Sequence, residues 1–281
     1  MKTLQSTLKA CFALLLFSTV VVSCSKDNET TEVEDSNLDI TEIEASAEVD
    51  AIEGALEDLV IEVYENQEAS ETGRVVQPPQ LPDCVTITII AQQNFREVTI
   101  DFGSEGCMVR GHELMGKIIL SWTRDPEAQQ RVITYELEDF FIDAKAVIGS
   151  RTILKELSND NGNPQFTHTV DLTVIWPNGL QASREGTKIR EWIEGFGSGV
   201  FSDNVFEVSG NWTTTFVNGN THTYEVMQPL RREVICTYFV SGTVDVQRTN
   251  FGGTLDFGEG DCDNKATFTF NNGNEIEITL N

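Results

Sequence analysis

The chain has 281 residues and a formal charge of −26 at pH 7, from 45 acidic and 19 basic side chains. Nucleic-acid binding rests on clustered Lys and Arg that neutralise phosphates, so this balance excludes a nucleic-acid partner. With 40% hydrophobic residues and a mean hydropathy of −0.20, the composition suits a folded domain rather than a membrane-embedded chain.

Lys2 and Lys9 form a short positive region ahead of an almost wholly apolar run, Ala10 to Val22. The run is too short to span a bilayer, which takes about 20 apolar residues, and has the length of a signal-peptide core. It ends in Val21-Val22-Ser23-Cys24, which resembles the lipobox of bacterial lipoprotein precursors. That resemblance implies a signal peptide over 1–23 and lipidation of Cys24, the thiol accepting diacylglycerol and the small Ser23 fitting the peptidase. Removal of Lys2 and Lys9 then leaves the mature chain two charges more negative. Ser25-Lys26-Asp27-Asn28-Glu29 resembles the surface-export signal of lipoproteins from Bacteroidota-like bacteria, and equally an acidic linker on a periplasm-facing one. The expected address is therefore the outer membrane, at either face, with the membrane met through the N-terminal lipid.

Residues 27–71 hold 17 of the 45 acids and no base. Such a block reads as a solvated, self-repelling spacer, and residues 24–44 are expected to form a disordered tether. Within the block Val49, Ile52, Leu56, Leu59, Val60 and Val63 recur at helical spacing, with Glu48, Asp50, Glu53, Glu57, Asp58 and Glu62 between them. This predicts an amphipathic helix over 45–70 with an acidic outer face and an apolar stripe packed on the following domain or in a partner's groove. A Pro-rich joint, 71–82, follows.

From Asp83 to Asn281 the period changes to two, as in Thr86-Ile87-Thr88-Ile89 and Glu275-Ile276-Glu277-Ile278. Asn-Gly pairs at 161–162, 178–179, 218–219 and 272–273 each separate strand-like runs and signal hairpins. The expectation is an all-β domain, 83–281: an antiparallel meander of about 10–12 strands, as a sandwich or a strongly curved sheet. At Asn218-Gly219 a three-residue loop over 218–220 would set Phe216 opposite His222 and Trp212 opposite Val226, gathering the large residues on one face. Trp176-Pro177-Asn178-Gly179-Leu180 fits the same loop type.

A repeat runs through the domain: Thr99-Ile100-Asp101-Phe102-Gly103 followed by Cys107, and Thr254-Leu255-Asp256-Phe257-Gly258 followed by Cys262. Cys84 precedes the first copy and Cys236 the second. With Cys11 removed and Cys24 lipidated, four cysteines remain in an oxidising compartment. One cysteine on a strand and another just past the glycine, within each copy, predict Cys84–Cys107 and Cys236–Cys262. The rival is the cross-copy pairing of Cys84 with Cys236 and Cys107 with Cys262. The repeat, the lipobox and the acidic spacer together resemble β-rich lipoproteins of Bacteroidota. That resemblance implies a location and carries no activity.

The two Asp-Phe-Gly triplets lack a glycine-rich loop and an H-R-D element, so a kinase is excluded. Asp256, Glu259, Asp261 and Asp263 could offer oxygen to calcium, although the spacing is not that of an EF-hand and an acidic turn explains them as well. His112, His168 and His222 are scattered singly, which suits neither zinc nor a nucleophilic elbow. No catalytic residue and no cofactor is expected. Trp122, Trp176, Trp192 and Trp212 could stack sugars on an exposed face or pack the core. The sequence thus points to a non-enzymatic binding or adhesion module with a protein or glycan ligand. Its alternatives are a carrier of apolar cargo, lipid or lipoprotein, in a curved sheet, and a glycan-binding or glycan-processing surface protein.

The anchor is directly testable. Cys24→Ala is expected to leave the membrane fraction and to incorporate no radiolabelled palmitate, because no other segment read here can hold the chain at a membrane. Equal incorporation by the variant would contradict the assignment.

Overall fold

The computed structural model describes the backbone of residues 29–249 and 251–280, and side chains from residue 41 onward. The expected signal peptide and Cys24 lie outside these residues. The described residues form one α-helix, α1 (Glu29–Thr72), and then fourteen antiparallel strands of a single hydrogen-bonded sheet. They are β1 (Thr86–Ala91), β2 (Phe95–Asp101), β3 (Cys107–Val109), β4 (His112–Thr123), β5 (Gln130–Ile142), β6 (Lys145–Glu156) and β7 (Gln165–Ile175). The second half comprises β8 (Gln181–Glu194), β9 (Val205–Phe216), β10 (Thr221–Glu233), β11 (Ser241–Arg248), β12 (Phe251–Glu259), β13 (Lys265–Phe270) and β14 (Glu275–Thr279). Each strand pairs with the next, except that β3 pairs only β4, and β4 also pairs β2. The architecture is the expected all-β meander behind one helix, with two strands more than the upper expectation. No described helix is long and apolar enough to cross a membrane.

The sheet folds around α1. Between Glu42 and Ala69 every helix residue is buried or half-buried, on the acidic side as well as the apolar one. Val49, Leu56, Val60 and Tyr64 share a core with Val98, Ile118, Tyr135 and Phe166, while Ile43 and Ala47 pack with Val208, Val246 and Phe268. One helix therefore belongs to the cores of both halves of the sheet. Glycines in mid-strand permit the bending: a Cβ at Gly186 would lie 2.4 Å from Asn211 O, and one at Gly210 2.2 Å from Thr187 O. Such close backbone approach marks a bend that only glycine tolerates.

Two expectations change here. Residues 29–44 are helical where a disordered tether was expected, and Glu42 and Ile43 are already buried, since the sheet reaches past the predicted helix start. The boundary at residue 83 is not a domain boundary either, because α1 and the strands share one core.

All four Asn-Gly turns adopt one geometry. Gly162, Gly179, Gly219 and Gly273 donate N–H to the carbonyls of Asn159, Trp176, Phe216 and Phe270 at 2.8–3.0 Å, each glycine at a φ near +87°. This is a type I turn closed by a left-handed glycine, the three-residue hairpin loop. Glycine must occupy the third loop position, so the loop at Asn218 is 217–219 rather than 218–220. Trp212 accordingly pairs with Tyr224 and Thr214 with His222, two residues off the expected register, on the expected common face.

The cysteines pair within each repeat copy, Cys84 with Cys107 and Cys236 with Cys262, at Cα separations of 5.8 and 5.5 Å. The repeated triplet is a local device: Asp101 and Asp256 accept N–H from Gly103 and Gly258 at 2.8 and 2.9 Å, and Phe102 and Phe257 are buried.

Candidate functional site

The inner face of the sheet is basic where the helix is acidic. On β8, alternate residues Ala182, Arg184, Lys188, Arg190 and Trp192 all point inward and are buried. Arg184 pairs with Asp50 at 2.5 Å and Glu53 at 3.0 Å, and Lys188 with the same two carboxylates at 2.6 and 2.5 Å. Arg190 reaches Glu57 at 3.1 Å and Asp58 at 2.5 Å. Arg151 on β6 holds Glu53 at 2.5 Å and Glu57 at 2.9 Å, and Arg232 on β10 holds Asp58 at 2.6 Å. Toward the helix C-terminus Lys155 meets Glu65, Arg131 meets Glu68 and Arg96 meets Glu71. At the other end Arg248 and His222 meet Glu42.

Burial alone would raise the carboxyl pKa of Glu53, but Lys188, Arg151 and Arg184 outweigh it and hold the group well below the usual carboxylate range. Burial likewise opposes ionisation of Glu57 and Asp58, which stay lowered through His168, Arg190 and Arg151 in one case and Arg232 and Arg190 in the other. Burial pushes the His168 imidazole down to about 4, against the attraction of Glu57 and with the help of Arg190 and Arg151. His168 lies 3.3 Å from Glu57, yet neither ring nitrogen has a hydrogen-bond partner.

The concave face is therefore plugged. Trp122, Trp176, Trp192 and Trp212 are at most 9% exposed, so they form no sugar-stacking platform. Trp122 and Trp176 donate indole N–H to Glu68 and Glu48 of the helix at 3.0 and 2.7 Å, and Trp212 stacks on Tyr224 beneath Lys188. The calcium candidates do not converge: Asp256 and Asp263 cap backbone N–H groups of their own turns, and no metal-holding group of three carboxylates, histidines or cysteines occurs among the described residues.

What remains open is a cleft of about 330 Å³ on one flank of α1. Leu56, Leu59 and Glu62 of the helix form its floor, and Val109, Arg110, His112 and Leu114 form one wall. Phe201, in a short 3₁₀ turn Phe201–Asp203, and Val234, Ile235 and Cys236 close it, with Gln77 and Pro78 of the joint at its rim. The disulfide at Cys107 precedes one wall and that at Cys236 lies in another, so both cross-links brace the cleft. A smaller recess of about 60 Å³ shares Glu62, Gln77 and Phe201 and adds Trp192 and the loop Gly195–Gly199. Phe196 and Ile235 stand out at 49% and 76% exposed.

Arg110 is the unusual member. Val109 pairs with His112, leaving Arg110 and Gly111 as a two-residue turn with φ of 52° and 91°. That turn requires positive φ at both positions and favours Asn, Asp or Gly at the first, so an arginine there is held in a costly conformation. Its guanidinium pairs with Glu62 and lies 5.8 Å from the Phe201 ring. Burial raises the Glu62 carboxyl above its ordinary value despite Arg110. At the rim His112 Nδ1 is 2.7 Å from Asp143, and no nucleophile hydrogen-bonds its other nitrogen among the described residues. Neither the helix plug nor Arg110 was singled out from the sequence; the alternating cations on β8 were the available signal.

Compared with known proteins, the chain matches no family model, no curated protein and no solved structure.

The buried His168 gives the seam a definite pH dependence. Below pH 6.5 the unfolded chain protonates this imidazole while the folded chain resists until about pH 4, so stability falls on acidification through that window. The depressed carboxylates act lower, losing their contribution as pH falls through their folded values. His168→Leu should remove about 2–3 kcal/mol of the loss between pH 7 and pH 4.5, measured by urea unfolding. An unchanged acid sensitivity would contradict this assignment.

Proposed function

We propose that the protein is a lipid-anchored, non-enzymatic binding module of the outer membrane whose ligand or partner enters the cleft beside α1. The observation that carries this reading is the occupancy of the concave face. The helix and its ion pairs fill the space that a carrier of bulky apolar cargo would need, whereas the flank keeps a recess of about 330 Å³ lined by both apolar and charged side chains, within the usual range for ligand sites. Braced walls, a glycine-rich loop and the exposed Phe196 and Ile235 at the same end suit recognition. The resemblance of Val21-Val22-Ser23-Cys24 to a lipobox supports the anchor. Because α1 begins at Glu29, the segment between such an anchor and the body would be largely helical rather than a flexible leash.

A photo-crosslinking residue placed at Ile235, beside the cleft, should capture a discrete species in intact cells. The same residue at Ile148, exposed on the sheet's outer face, should not. Identical patterns from the two sites would overturn the assignment of the cleft.

A further inference from the structure

We infer that the cleft binds an aliphatic chain ending in a carboxylate, which takes Arg110 over from Glu62 while the chain lies along Leu56, Leu59, Val109 and Leu114. The inference rests on the reading of the cleft as the binding site and adds the class of ligand.

Three observations converge on it. The cleft is amphipathic: Leu56, Leu59, Val109 and Leu114 offer an aliphatic chain apolar contacts, and Glu62, Arg110 and His112 set a charged group beside them. Arg110 is a cation at the mouth of that apolar space, its side chain 34% exposed and its backbone held at a left-handed φ by a turn that does not favour arginine. A costly backbone conformation persists where its side chain is required in one place. Its present partner is internal: the Glu62 side chain is 9% exposed and burial already favours the protonated carboxyl. A carboxylate from solvent can therefore replace Glu62 on the guanidinium, because a proton taken up by Glu62 removes the charge left behind. The bidentate fork of arginine fits either carboxylate equally.

The charged groups around Glu62 determine the sign of the pH effect. Arg110 faces it from the β3–β4 turn, Asp58 and Glu65 lie on its own helix, and Arg74 follows the helix and pairs with Glu65. Arg232 from β10 is held by Asp58, and His112 on β4 by Asp143. The loss of Arg110 leaves Glu62 beside Asp58 with burial unopposed, so its pKa rises further in the complex. Binding then takes up a proton and weakens as pH rises.

Octanoate is the probe, titrated calorimetrically into the purified full chain in discs of uncharged lipid, with empty discs as the blank. Octanoate should bind saturably, at least tenfold tighter than octanamide, with proton uptake and with affinity falling as pH rises from 6 to 8. Glu62→Gln should tighten binding severalfold and abolish the pH dependence. Arg110→Met should weaken it at least tenfold. The gain in Glu62→Gln cannot come from a damaged fold and keeps the test valid if Arg110→Met misfolds. An acetylated leucine tripeptide with a free carboxylate distinguishes the source: tighter binding than octanoate assigns a peptide C-terminus, weaker binding a fatty acid. Equal affinity for octanoate and octanamide, unaltered by Glu62→Gln, would overturn the carboxylate and leave the cleft as the site. Octanoate binding that survives Leu59→Trp, which fills the cleft, would overturn both readings.

Discussion

The fold depends on burying an acidic helix against a basic sheet face. Arg151, Arg184, Lys188 and Arg190 are at most 2% exposed, and each would be an unpaired charge in an apolar space if α1 were absent. Glu53, Glu57 and Asp58 face the reciprocal difficulty. Taking charge out of water costs several kcal/mol per ion, and a buried pair recovers that cost only when geometry and hydrogen bonding are good. The seam meets this condition by sharing: Glu53 serves three cations and Asp58 two, while Arg184 also reaches Ser46 at 2.6 Å and Thr214 at 3.2 Å. Removal of one partner from such an array strands the others and costs about 3–5 kcal/mol. The net stabilisation therefore comes from the apolar stripe, and the charges fix which helix turn lies over which strand.

This explains which parts of the molecule are legible in the sequence. The strands, the hairpins and the existence of a helix follow from local periodicity and from Asn-Gly pairs, which act over a few residues. The burial of the acidic face does not. Arg184, Lys188 and Arg190 alternate as a solvent-facing row would, and their carboxylates lie more than 130 positions earlier in the chain. A run of 17 acids without a base reads as a repelling spacer until a matching set of cations is placed around it. The register at Asn218-Gly219 differs for a local reason: glycine takes the last of the three loop positions rather than the middle one. Arg110 could have been suspected from Arg-Gly at a point where a two-residue turn prefers Asn-Gly.

Plugging and recognition are linked by the same helix. With its acidic side committed to the sheet, α1 presents Leu56, Leu59 and Glu62 to the bottom of the cleft, and Cys107 and Cys236 tie the segments that border it. The cleft is thus made of elements that the rest of the fold holds rigid. Glu62, the acid on this flank, lies outside the multiply shared core of the seam and has Arg110 as its cation.

The central claim is that α1 is an interior element of the sheet domain and not a docked tether. Native-state hydrogen exchange tests it most directly. Amides of residues 45–66 should exchange with the same free energy as those at the centres of β7, β8 and β9, through global unfolding alone. Helix amides that exchange at a markedly lower free energy, while those strands stay protected, would contradict the account.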